Sequence, residues 1–245
     1  MNEEIRLIEE LSLNAHPALN TMLYDGWYLC FAGGYTSRAN SVNVLYPSSL
    51  EMADKIKHCE EIYHRQGLST IFKITPLSTE LDDVLAKNDY SLLTPTNIMV
   101  AGIMKFEPQS AVMISKGMDD GWQEDYFRIN ETKSKSIPIA RLIHDKIIAE
   151  TLCATVYQND EAVACGLCVV EGGYAGLFNI AVSKQHRRKG WGRAICAALL
   201  ADAAKLGAKK SYLQVVSSNV GAVALYKSLG FEDMYEYWYR IKGIK

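Results

Sequence analysis

The chain has 245 residues, 49% hydrophobic and 22% charged, which is enough apolar material for a sizeable core and too much for a disordered segment. A formal net charge of −2 and a sequence pI near 6.2 give no whole-molecule attraction to nucleic acid or to an anionic membrane. No apolar run approaches the roughly 20 residues that span a bilayer, and the six cysteines are dispersed behind an N-terminus with no signal-peptide pattern, so a reduced, cytoplasmic setting is expected.

In chain order, a helical pattern covers residues 3–14. Strands are expected at 25–32 and 37–45, with Gly33-Gly34 between them as a hairpin turn. Ser48-Ser49 precedes a helix that runs to about Arg65 and stops at Gly67. A strand at 70–74, a helix at 79–87 and a strand at 91–104 follow. Pro108 and the polar stretch around it mark a boundary, so the expected division is 1–108 and 109–245. Beyond it, 121–129 and 137–143 read as helices. Strands at 151–158 and 161–170 flank the turn Asn159-Asp160, and Gly172-Gly173 turns into a strand at 174–182. A helix from about Gly190 to Leu206, a strand at 211–216, a helix at 220–229 and a strand at 231–241 complete the chain. The C-terminal order is β-β-β-α-β-α-β, an α/β domain with a mixed, mostly antiparallel sheet.

Cys165 and Cys168 match CxxC formally, but residues three apart on a strand point to opposite faces, so two buried strand cysteines are expected rather than a zinc or redox pair. The histidines His16, His58, His64, His144 and His186 are scattered without metal-ligand spacing, and no metal is expected. His186 reads as a surface residue. The run Trp27, Tyr28, Phe31, Arg38, Asn40 reads either as a substrate-pocket lining or as an edge strand packed on its neighbour. Tyr235, Tyr237 and Tyr239 share one face of the last strand, with Trp238 on the other.

The chemically informative segment runs from Ile180 to Ile195. An apolar strand enters a basic loop, a Gly-x-Gly follows, and then an alanine-rich helix begins. A helix start leaves backbone N–H groups unpaired and carries partial positive charge, a ready site for phosphate or pyrophosphate. Gly190 lets a ligand approach the backbone, and Gly192 lets the helix pack on the strand beneath it. Arg187, Arg188 and Lys189 add charge where a polyphosphate would lie. Arg193 in the first helical turn is electrostatically odd, and a bound anion would offset it. The dinucleotide fingerprint fails because position 195 is Ile, and the P-loop GK[ST] is absent.

Arg187-x-x-Gly190-x-Gly192 resembles the acyl-CoA pyrophosphate signature of the GNAT superfamily of N-acetyltransferases. The stretch from Asn219 through Ala222, Leu225 and Tyr226 to Gly230-Phe231 is similar to that family's second helix motif. The resemblance covers about residues 150–245 and implies the GNAT fold there; residues 1–108 have their own β-β-α-β-α-β content and are expected to form a second, smaller α/β domain, a divergent and degenerate relative of the same fold. That N-terminal part lacks a Gly-x-Gly phosphate loop, so one acyl-CoA site per chain is expected.

The resemblance further implies acetyl-CoA as cosubstrate, with backbone groups of Ile180, Ala181 and Val182 pairing with pantetheine like an added strand. Loop amides from Arg188, Lys189, Gly190, Trp191, Gly192 and Arg193 would hold the pyrophosphate, and Asn219 would contact pantetheine. Tyr226 would be the general acid. Some relatives carry a general-base Glu on the central strand; here that position is Gly176. The function expected is acetyl transfer to a small primary amine by direct attack, with a non-catalytic acyl-CoA-binding regulator as the alternative and a homodimer left open. Asn219 also reads as a helix cap, which does not exclude ligand contact, and core filler is the alternative reading of Tyr226.

Overall fold

Gly166 sets how closely the principal helix lies on the sheet: a Cβ there would stand 2.5 Å from Ile195 Cγ2 and 2.6 Å from Ile180 Cδ1. The computed structural model describes residues 2–106 and 111–243, without the side chain of Thr94. Pro108 and the expected cut at 108/109 lie outside the described residues. The helices are α1 (Asn2–Ala15), α2 (Met52–Arg65), α3 (Thr79–Lys87), α4 (Asp120–Ile129), α5 (Ile137–His144), α6 (Trp191–Lys205) and α7 (Val220–Ser228). The strands are β1 (Asn20–Tyr24), β2 (Trp27–Phe31), β3 (Val42–Val44), β4 (Thr70–Ile74), β5 (Ser91–Gly102), β6 (Met113–Lys116), β7 (Glu150–Gln158), β8 (Glu161–Glu171), β9 (Tyr174–Val182), β10 (Lys210–Val216) and β11 (Glu232–Lys242). No described helix is long and apolar enough to cross a membrane.

Two compact units form. The first takes the chain to Asn97, Leu142–Ile147 and the chain from Tyr235; the second takes Ile98–Arg141 and Ile148–Met234. In the first, the strand order is β1-β2-β3-β4-β11. β1, β2 and β3 pair antiparallel in sequence, β3 and β4 pair parallel with α2 crossing between them, and β11 pairs antiparallel with β4. Alternation along β4 puts Phe72 and Ile74 in the core with Ile56 and Tyr63 of α2 and Leu81 of α3. Lys73 points the other way. Its ammonium meets the Glu9 carboxylate of α1 at 2.6 Å, with both side chains almost wholly buried, and lies 4.0 Å from the centre of the Tyr237 ring.

β1 and the residues before β3 differ from expectation. β1 is an added, largely exposed strand, and Asp25-Gly26 is the hairpin turn, with φ of 43° and 82°. Residues 37–39 form a short 3-10 turn instead of strand. Asn40 explains it: the buried amide accepts from the N–H groups of Ala32 and Gly34 and donates to Thr36 O, holding the backbone out of the ladder. The aromatic run is structural, with Trp27 in the core and Phe31 against Tyr63, and β2 lies between β1 and β3 rather than at an edge. Tyr235, Tyr237 and Tyr239 are all buried, and Trp238 donates to Asp82.

In the second unit the order is β5-β10-β9-β8-β7-β6. β6, unforeseen, pairs with β7. β7, β8 and β9 are antiparallel, and β9 and β10 are parallel with α6 crossing between them. Ile195, Cys196, Leu199 and Leu200 of α6 pack on Leu152, Ala154, Cys168, Leu177 and Leu213 of the strands. Cys168 belongs to that cluster, while Cys165 is buried within reach of the Asp125 charge of α4, so the two thiols diverge.

Candidate functional site

The site begins where β9 leaves β10. Tyr174 through Leu177 pair in register with Lys210 through Leu213, and beyond Leu177 no ladder joins the two strands among the described residues. The departure has a local cause. Asn179 takes a left-handed φ of 53°, and the pairing with β8 slips between Leu167 and Cys165, the mark of a β-bulge. Past the bulge Ala181 and Val182 keep β8 as partner on one side. The other edge opens onto a cleft of about 830 Å3.

The strand then enters a short 3-10 turn, Lys184–His186, tied by a 2.9 Å hydrogen bond between Ser183 Oγ and His186 Nδ1. Arg188 (φ 63°) and Gly190 (φ 85°) are both left-handed, and α6 starts immediately after. A Cβ on Gly190 would meet nothing within 4 Å, so its need for glycine is conformational. It is also the N-cap and brings no capping side chain, leaving the first amides of α6 available to an anion in the cleft. Gly192 does not face mainly the strand: a Cβ there would lie 3.1 Å from Leu225 of α7 and 3.8 Å from Val182. The contact expected of Gly192 with the sheet is made at Gly166.

Ile180, Ala181, Val182, Arg187, Arg188, Gly190, Trp191, Gly192, Arg193, Asn219 and Tyr226 all line this cleft. Lys189 is exposed and is not part of the lining. His186, expected at the surface, lines it as well. The C-terminal turn of α4, Ile129, Asn130 and Glu131, also lines the cleft, with Glu131 paired to Lys184 at 2.8 Å. No motif announces that turn; its place depends on how α4 packs on β8.

Individual side chains have second employments. Arg187 Nε donates to Val182 O at 3.2 Å. Arg193 Nη1 donates to Ser228 O at 2.9 Å and to Ser228 Oγ at 3.1 Å. It thereby sits at the negative end of α7, which offsets its unfavourable place at the start of α6 without any bound anion. Asn219 caps α7 by accepting from Ala222 N at 3.2 Å. Tyr226 is 9% exposed; burial, and secondly the neighbouring Cys196, push its phenol above the ordinary value. It therefore keeps its proton at neutral pH and can only donate it. At Gly176 a Cβ would lie 2.6 Å from Phe178 and 2.7 Å from Tyr212, so aromatic rings occupy the volume a strand carboxylate would need.

The description "probable histone acetyltransferase Rv0428c C-terminal" belongs to the family that residues 2–240 match. A Bacillus subtilis (strain 168) protein, named uncharacterized N-acetyltransferase YobR, is 28% identical over 98% of this chain and 99% of its own length. The [ribosomal protein bS18]-alanine N-acetyltransferase of Escherichia coli (strain K12) is 41% identical over 76 residues, which are 31% of this chain and 51% of that enzyme. Among solved structures, a GCN5-related N-acetyltransferase from Kribbella flavida superposes with a TM-score of 0.75 at 12% identity, covering 98% of this chain and 96% of that one. A tandem GNAT protein from the clavulanic acid biosynthesis pathway gives 0.63 at 12% identity, over 84% of this chain and 76% of that one. These two likenesses concern the fold.

Proposed function

The chain belongs to the Rv0428c C-terminal acetyltransferase family and has the GNAT fold, and we propose that it moves an acetyl group from acetyl-CoA to a primary amine by direct attack. One observation carries the reading: a strand edge freed by the Asn179 bulge leads straight into the uncapped start of α6, within one cleft that also holds Tyr226.

Backbone groups of Ile180, Ala181 and Val182 would pair with the amides of pantetheine as an added strand. The loop N–H groups between Arg188 and Arg193, with Arg187 and Arg188 beside them, would hold the diphosphate. Acetyl-CoA supplies the thioester carbonyl that the neutral amine attacks. The C–N bond forms, the C–S bond breaks, Tyr226 donates its proton to the departing thiolate, and the proton that the acylated nitrogen loses returns through water to the phenolate. A free alkyl amine titrates near about 10, so it must shed a proton before attack. With aromatic rings filling the space at Gly176, that proton passes to water in the cleft.

Release of free thiol from acetyl-CoA, measured with a panel of amines, tests the reading. The names of the family and of one relative put histone peptides and peptides with a free alanine amino group first in the panel, beside small amines. CoA should compete and ATP or NAD should not. Failure of CoA to bind, or binding without turnover on any amine, would sink it.

A further inference from the structure

The first unit repeats the connectivity that builds the cleft. β3, α2, β4 and α3 follow one another as β9, α6, β10 and α7 do, and in each case the two strands are parallel neighbours. Each has a cleft in the same place, beyond the ends of those strands and between the starts of the two helices. In the first unit the cleft measures about 550 Å3 and is lined by Val44, Ser48, Met52, Lys55, Ser78 and Thr79 among others.

The turn into the helix is what differs. Between β9 and α6 two residues are left-handed; between β3 and α2 none is. Here the place of an anion is taken by this chain's own carboxylate. Asp25 accepts from Ser49 N at 3.0 and 3.1 Å, from Ser49 Oγ at 2.8 Å and from Leu50 N at 2.9 Å. Its Oδ2 lies 3.1 Å from the ammonium of Lys55, a side chain with no exposure that also donates to Asp25 O and Ser48 Oγ and sits over the Trp27 ring. The β1–β2 hairpin delivers the carboxylate, because Asp25 is the first residue of its two-residue turn.

We propose that the turn from Leu45 to Glu51, at the start of α2, is a second anion cradle, and that the Asp25 carboxylate is its resident anion. The first unit is therefore a counterpart of the acyl-CoA cleft whose anion cradle is already filled, and each chain takes one acyl-CoA. The cradle stands on the Asp25 contacts alone; the acyl-CoA clause rests on the function proposed above. A second anion would meet a fixed negative charge at a place where two amides, a hydroxyl and an ammonium are already engaged. Those donors also hold the Asp25 carboxyl well below the usual carboxylate range, with the Leu50 amide the largest cause, so the plug stays charged at any working pH.

Asp25→Gly and Asp25→Asn isolate the carboxylate, because Gly-Gly and Asn-Gly both suit a turn with two left-handed residues. The measurement is the thermal midpoint in inorganic phosphate against potassium chloride of equal ionic strength. For the unaltered protein, phosphate should raise the midpoint no more than chloride. Asp25→Gly should melt lower and be raised by phosphate specifically, and Asp25→Asn should fall between. An Asp25→Gly variant as indifferent to phosphate as the parent would overturn the cradle. Calorimetric titration of the unaltered protein with acetyl-CoA supplies an arm that needs no variant. One equivalent is expected and two would overturn the proposal. None would remove the transferase reading and the acyl-CoA clause, while the phosphate arm still decides the cradle.

Discussion

Tyr212 stands directly over Gly176, so that any side chain grown from that glycine would run into its hydroxyl and ring within 2.7 Å. Both residues are buried, paired across the parallel β9–β10 ladder, with Phe178 edge-on to Tyr212 at 5.9 Å. Gly176→Glu should therefore not create a working base. It should destabilise by roughly 1–3 kcal/mol through overpacking, and by more if the carboxylate stays buried. Urea unfolding and turnover of the variant check this; a stable, faster Gly176→Glu enzyme would show that the space is available and the water route wrong.

Tyr226→Phe should lower kcat by about 10²- to 10⁴-fold, the usual worth of a positioned general acid, and leave acetyl-CoA affinity unchanged. The pH profile has a definite sign. Burial raises the Tyr226 pKa, so its acid form persists through and beyond the ordinary phenol range, and activity should not fall on the alkaline side for its sake. The rate should instead climb with pH as the amine loses its proton. A descending limb near pH 7 to 9, absent in Tyr226→Phe, would show the phenol losing its proton there and contradict its raised pKa.

Arg187 and Arg193 should separate cleanly. Arg187 reaches only Val182 O among its described partners and lines the cleft, whereas Arg193 links α6 to the end of α7. Arg187→Ala should weaken acetyl-CoA binding, and the loss should shrink as salt rises. Arg193→Ala should cost up to about 1 kcal/mol of stability, as expected for a single hydrogen-bonded link, with a smaller effect on affinity. Gly190→Ala forces a Cβ into a left-handed turn costing about 1–2 kcal/mol, which should appear as roughly tenfold weaker acetyl-CoA binding. Titration calorimetry and melting curves on the three variants decide.

The β9–α6 passage was legible because its signals are local. Gly190 is required by its own backbone angle, and the basic residues follow one another along the loop. The bulge at Asn179 left no mark, since one left-handed asparagine inside an apolar strand does not disturb the pattern. β1 leaves no signal in the sequence because Asn20–Tyr24 is mostly exposed and offers no alternation to detect. Asp25 reads as the start of a strand, and its work is done 24 and 25 residues further on, at Ser49 and Leu50. The α4 turn at Ile129 is likewise brought to the cleft by packing, which no spacing along the chain records.

Glu9 and Lys73 give the sharpest test of the first unit. Their side chains are 1% and 4% exposed, the oxygen and nitrogen are 2.6 Å apart, Tyr235 donates to the other carboxylate oxygen at 2.7 Å, and the Tyr237 ring faces the ammonium. Removing one partner strands a charge away from water. Lys73→Met should thus cost about 3–5 kcal/mol, and Glu9→Leu a similar amount. Replacing both, with Tyr235→Phe so that no hydroxyl is left unmatched, exchanges the network for apolar packing and should recover most of that loss. Chemical denaturation of the three single variants, Tyr235→Phe included, and of the triple variant reads the coupling. Purely additive losses would mean that the charges are solvated in solution, and the buried pair would have to be abandoned.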